Sequence, residues 1–226
     1  MALTKYNYNS FDLTTAASKG LSFNSDADGF ETSSAGSMTL IKTITASSSS
    51  TVSFVDGSSS VVLDNTYPAY LFKFINIHPA SHDASSAGGL NFNASIDTGS
   101  NYNVAKTSTA FTAYHAEDDA GAGMGYNTQN DAAQVTAAIP LSGQIYTDAD
   151  SSLSGKMLLF NPSSTTFVKH FISTNTRMDY SVRPYANQYG VAGYINTTSA
   201  VDAIQFSMWS GNMDSGTIKL YGIKDS

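Results

Sequence analysis

The chain has no cysteine, which excludes a disulfide framework, a thiolate metal site and a cysteine nucleophile. Charge is scarce as well: charged residues make up 13% of 226, about half the usual quarter. Glutamate occurs only at Glu31 and Glu117. The net charge of −7 argues against nucleic-acid binding, which needs a basic stripe to displace counterions. No window approaches eighteen uninterrupted apolar residues, so no membrane-spanning helix and no membrane partner are expected. The first ten residues, MALTKYNYNS, lack the apolar core of a secretory signal. No twelve-residue stretch carries an i, i+3, i+4, i+7 apolar stripe, so helix content should be low.

Hydroxyls stand where charge is missing, with 34 Ser and 23 Thr. Twelve Phe, 13 Tyr and one Trp set the chain apart from disordered sequences, which are poor in aromatics. A Ser/Thr/Asn/Gly surface is easier to desolvate than a charged one and suits large contacts with other subunits. It suits extracellular proteins equally. A folded, cysteine-free chain without an export signal fits a protein made in a cytoplasm and used outside it.

Period-two patterning dominates. In 203–224, Ile204, Phe206 and Met208 alternate with Gln205, Ser207 and Trp209, and Ile218 and Leu220 alternate with Thr217, Lys219 and Tyr221. The Gly/Asn/Asp/Ser-rich break between them predicts a closing β-hairpin with a longer loop. Upstream, two strands are expected within 37–55 and a short one at 61–63. YLFKFINI at 70–77 has apolar groups on both faces, as in a central strand. LNFNASI at 90–96 alternates as if one face were exposed, and AFTAYH at 110–115 is a further strand. Strands follow at 134–139, 156–160, 167–173 and 191–195, with a polar, aromatic segment before the last. Residues 117–133 read as a long Gly/Asp/Asn loop, of the kind that contacts partners or carries function. The expected fold is all-β: an antiparallel, jelly-roll-like β-sandwich over 37–226, preceded by an irregular N-terminal arm over 1–36.

Residues capable of chemistry are few. His78 and His82 share a Pro-containing loop, so a metal there needs carboxylates such as Asp83, Glu117, Asp118 or Asp119; His115 and His170 stand apart. The alternative is a histidine that caps a loop or stacks on a tyrosine. No G-x-S-x-G nucleophile turn occurs. Asp118/Asp119 and Asp148/Asp150 are the carboxylate pairs that glycoside hydrolysis would need, although both lie in loop sequence where acids solvate turns. Asp148-Ala-Asp150 opens like a calcium loop but has Leu153 at the sixth position and Leu159 at the twelfth, so only an irregular calcium site stays open. GAGMG at 121–125 follows acidic residues that would repel a phosphate, and the glycosylation matches at Asn93 and Asn196 are idle without a signal. Tyr126, Tyr146, Tyr180, Tyr185, Tyr189 and Trp209 fit a subunit interface, a sugar groove or ordinary partial burial. No catalytic, cofactor-binding or metal-binding residue is assigned, and no cofactor is expected.

The runs GKMLLFNPSSTTFVKHF and AGYINTTSAVDAIQFSMWSGNMDSGTIKLYGI resemble small virion proteins of tailed phages of marine bacteria, cyanobacterial phages among them. YLFKFINIHPA and FTAYHAEDD fit the same pattern, so the similarity spans roughly 60–224, while residues 1–59 fall outside it. The resemblance implies a non-enzymatic structural component of a virion: a capsid decoration, knob, head fibre or tail part. Its partners would be other virion proteins and further copies of itself, a trimer being one closed form. A tail or fibre module recognising host-surface carbohydrate is the alternative.

Overall fold

The computed structural model describes residues 19–23, 30–34, 37–81, 89–180 and 184–224; every regular element among them is a strand. In chain order these are β1 (Lys19–Phe23), β2 (Phe30–Ser34), β3 (Met38–Thr45), β4 (Val52–Val55) and β5 (Ala69–Pro79). Then come β6 (Leu90–Ser95), β7 (Lys106–Ala116), β8 (Ala122–Tyr126), β9 (Ala132–Val135) and β10 (Ile139–Pro140). The chain finishes with β11 (Leu153–Phe160), β12 (Lys169–Tyr180), β13 (Pro184–Ile195), β14 (Ala203–Met208) and β15 (Met213–Ile223).

Two sheets carry thirteen of these strands. The small sheet has the order β10-β6-β14-β4. The large one runs β3-β15-β5-β11-β12-β13-β7-β8, with β9 also paired to β7. The antiparallel pairs β3/β15, β4/β14, β5/β11 and β6/β10 nest like one long hairpin folded across both sheets, which is jelly-roll order. Two insertions, β7–β9 and β12–β13, both add to the large sheet beyond β11. The protein is an all-β sandwich.

Its centre is aromatic. Phe206 of β14 packs edge-on against Phe72 and Phe74 of β5, with ring centroids 5.1 Å apart in each case, and Phe54 of β4 meets Phe72 at 5.3 Å. Phe92 and Phe171 make a second contact between the sheets at 4.8 Å. All six rings are essentially inaccessible to solvent, and edge-to-face geometry suits their quadrupoles.

Several expectations change. The final pair, β14 and β15, is no hairpin. β14 lies between β4 and β6 in the small sheet, while β15 lies between β3 and β5 in the large one. Residues 209–212 carry the chain across the sandwich from one sheet to the other. The predicted inward residues Ile204, Phe206, Met208, Ile218 and Leu220 are buried as the alternation requires. Within the 1–36 segment, expected to be an irregular arm, β1 and β2 pair with each other as a separate two-stranded sheet.

Residues 61–63 form no strand: Leu63 donates its N–H to Asp56 Oδ1 and Val61 to Ser58 O, so the backbone is satisfied locally. β6 is buried along its whole length rather than exposed on one face. Asn93 occupies what alternation made the outer face, and its Nδ2 donates to Thr136 O and to Tyr102 O. The polar, aromatic segment before 191 belongs to two paired twelve-residue strands, β12 and β13.

β5 follows the two-faced pattern up to Asn76. Asn76 has φ of 49° and the register slips beside it, so Ile77 turns into the core instead of following Lys73 and Ile75 outward. Gly216 of β15, with φ of 119°, lies against this bulge; a Cβ there would come within 2.7 Å of Asn76 O. Only glycine fits.

Candidate interaction surface

The outer face of the large sheet is built by simple register. Thr43, Lys219, Lys73, Lys156 and Thr174 stand side by side on β3, β15, β5, β11 and β12. Their chain neighbours Ile218, Leu220, Phe72, Phe74 and Met157 point into the core, so this row points out. Two residues further on, Leu40, Tyr221, Leu71, Leu158, Ile172 and Ala192 form a parallel apolar row over six strands. Met38, Ile223, Ala69 and Phe160 align beyond it. A bulge in β3 before Tyr221's partner makes this possible: Ile41 is the extra residue and packs against the core, which lets Leu40 face outward.

Much of this face is open to solvent. Leu40 is 51% exposed, Met38 50% and Ile172 52%. A shallow groove of about 630 Å³ lies over it, lined among others by Lys73, Lys156, Leu71, Tyr221, Thr174 and Met38. Monomeric proteins rarely leave contiguous apolar area of this kind uncovered. Further along the same face, Phe111 lies over Gly190, and Tyr126 and Met124 of β8 are 59% and 79% exposed.

The histidines singled out from sequence take separate local roles. His78 is half-buried; its Nε2 contacts Asp148 O at 3.2 Å and its Nδ1 lies 3.9 Å from Asp214. His115 pairs with Asp119 at 3.1 Å, and His170 packs edge-on against Tyr194. These are the loop-capping and ring-contact roles weighed against metal binding. His82 and Asp83 lie outside the described residues. No group of three His, Asp or Glu side chains suited to a metal ion occurs among the described residues. Asp148, Asp150 and Glu117 do share one shallow hollow of about 330 Å³, a meeting that no spacing in the chain signals. Asp118 accepts the N–H of Ala120 as an ordinary turn acid.

Residues 117–133 are a correction. They contain β8, a Gly-rich strand that pairs with β7 from Phe111 to His115. The long, well-formed edge of β7 supplies the ladder, and Gly123 lets the Tyr114 ring lie close. The loop is a hairpin.

Nor do the described aromatics form one groove; the Tyr180 side chain lies outside the described residues. Tyr189 is buried under the Arg177 guanidinium, 5.4 Å from its ring centroid, and Tyr185 packs on Tyr114 at 5.7 Å. Tyr146 is half-buried. Tyr126 donates its hydroxyl to Asp131 at the far edge of the large sheet, whereas Trp209, 50% exposed, follows β14 of the small sheet.

Two lysines escaped sequence reasoning because nothing in their surroundings looks chemical. Lys106 and Lys169 flank Ile195 in register and are fully buried. Lys106 Nζ donates to Asn93 Oδ1, Val104 O and Thr136 O, and burial lowers its pKa to about 8. Lys169 Nζ donates to Phe167 O and Thr197 O, and burial lowers its pKa too. A nucleophilic lysine needs a lone pair free to attack. These two are capped by carbonyl acceptors with no solvent access, so their role is to tie loops to strands.

Comparison with known proteins finds no family model that matches the chain, no matching curated protein and no matching solved structure.

Proposed function

We infer that this is a non-enzymatic structural protein of a virion, a capsid-associated decoration, knob or head-fibre component that works through subunit contacts. One observation carries the reading: an apolar row, Leu40 to Ala192, crosses six strands on the outer face of the large sheet, with Leu40 and Ile172 half exposed and the others partly so. A face with this much exposed apolar area is stable in water when another protein covers it. The jelly-roll order supports the reading at the level of fold analogy, since such sandwiches recur in viral capsids and lectins. A carbohydrate-recognition module needs aromatics converging on one groove, and Tyr126, Tyr189 and Trp209 are dispersed.

Mass spectrometry of purified particles, with cryo-electron microscopy to place the density, tests the reading. The protein is expected in stoichiometric amount, seated by the large sheet. Absence from particles, together with a monodisperse monomer in light scattering, overturns it.

A further inference from the structure

The lysine row is at odds with the rest of the molecule. Lys219, Lys73 and Lys156 are direct cross-strand neighbours, and like charges so placed repel. The chain is acidic, yet none of the three ammonium groups has an ion-pair or hydrogen-bond partner among the described residues. An unneutralised row beside an open apolar row is the electrostatic half of a binding surface.

The matching half lies on the same chain. The turn from β7 to β8 carries Glu117, Asp118 and Asp119 in succession, all exposed, with the Asp119 side chain 91% accessible. The turn is held rigid: Ala116 N–H donates to Gly121 O, and Glu117 N–H donates to Pro184 O. At the tip, His115 Nε2 lies 3.1 Å from Asp119 Oδ1. Met124, on the outer face of β8 beside the turn, provides exposed apolar surface as the Leu71 row does beside the lysines.

Within one molecule the two halves do not meet. Five inter-strand steps separate β5 from β8, and a twist of roughly 20–25° per step turns their outer faces apart by about 110°. We propose that the acidic β7–β8 turn of one copy docks on the Lys219–Lys73–Lys156 row of a second copy. The contact is head-to-tail, so it closes into a ring or runs on as a filament. This inference rests on the subunit-contact reading above and names the two surfaces involved.

Sedimentation velocity on the full chain tests it, with circular dichroism to verify folding of each variant. Association should be strong at about 20 mM salt and weakened tenfold or more at about 500 mM, where the Debye length falls to a few ångströms. The triple variants K73E/K156E/K219E and E117K/D118K/D119K should each sediment as monomers. Mixed one to one, they should associate again, because each then offers the other its reversed partner. An unchanged association of the lysine variant, a folded pair that fails to recombine, or a wild-type monomer at low salt overturns the proposal. So does a monomer that captures dextran sulfate through the lysines, which points to a polyanionic glycan instead. A chain present in particles but insensitive to these reversals sinks this inference alone, and self-association through this pair by a chain absent from particles sinks the virion reading alone.

Discussion

Lys106 of the large sheet donates its buried ammonium to the side-chain oxygen of Asn93 in the small sheet. The bond spans the sandwich, and the same ammonium holds Val104 and Thr136 by their carbonyls. A cation sits in the interior with carbonyl and amide oxygens as its recorded partners.

That arrangement gives stability an unusual pH dependence. Burial sets the folded pKa of Lys106 near 8, below the ordinary 10.5, so the unfolded chain takes up the proton first as the pH falls. Stability therefore rises with pH between about 8 and 10.5, by on the order of 3 kcal/mol for Lys106 if the shift is fully expressed. Lys169 acts in the same direction. Tyr70 opposes them at the top of the range: burial first, then the charge of Asp64, raise its pKa above the usual 10, and the stability it contributes is lost above that value. Urea denaturation between pH 7 and 11 should show a maximum near pH 10, and K106M/K169M should lack the rise.

Phe206 is the ring on which both sheets converge, with three aromatic neighbours and no exposure. Its replacement by alanine should cost about 3–5 kcal/mol in urea denaturation. A loss below about 1 kcal/mol would mean the centre of the sandwich is not packed as described.

Asp97 organises the 95–101 turn, accepting from Ser95 Oγ, Asn101 N–H and Asn101 Nδ2. Those hydrogen bonds, Asn101's side chain first, lower its pKa to about 2. A depressed carboxylate contributes stability above its unfolded pKa, ordinarily 3.8, and loses it as the pH falls through 2. D97A should melt below wild type at pH 7, and the difference should close as the pH approaches 2. A pH-independent difference would assign the effect to packing rather than charge.

On the outer face, Leu40 and Ile172 are half exposed and lie in the outward row of the large sheet. Leu40→Thr with Ile172→Thr keeps strand propensity while removing apolar surface. Stability should stay within about 1 kcal/mol of wild type. Self-association should fall, as read by light scattering, and on the proposed virion reading so should incorporation into particles, as read by mass spectrometry. Neither falling would show that another surface makes the contact.

Burial by alternation was legible because a strand cannot hide which side it turns inward: Phe72, Phe74, Phe206 and Leu220 lie where period two put them. Partnership was not. β14 and β15 are joined by four residues, which favours a hairpin locally, yet each pairs with strands more than a hundred residues upstream. Ile77 escaped because one bulge at Asn76 inverts the alternation, and β8 escaped because Gly123 and Gly125 look like loop residues until β7 offers them a ladder. The lysine row was invisible for the same reason. Lys73, Lys156 and Lys219 are scattered in sequence and adjacent only through the registers of three strands.

The placement of β15 between β3 and β5 also sets a clock on folding. Until residues 213–223 have left the ribosome, Phe72 and Phe74 sit on a strand with one unpaired edge, and β3 has no neighbour at all in its sheet. Synthesis at about 5–20 residues per second makes that wait for the C-terminus a matter of many seconds. Over that interval the unfinished chain exposes apolar core surface, so aggregation competes with closure of the sandwich until the last strand arrives.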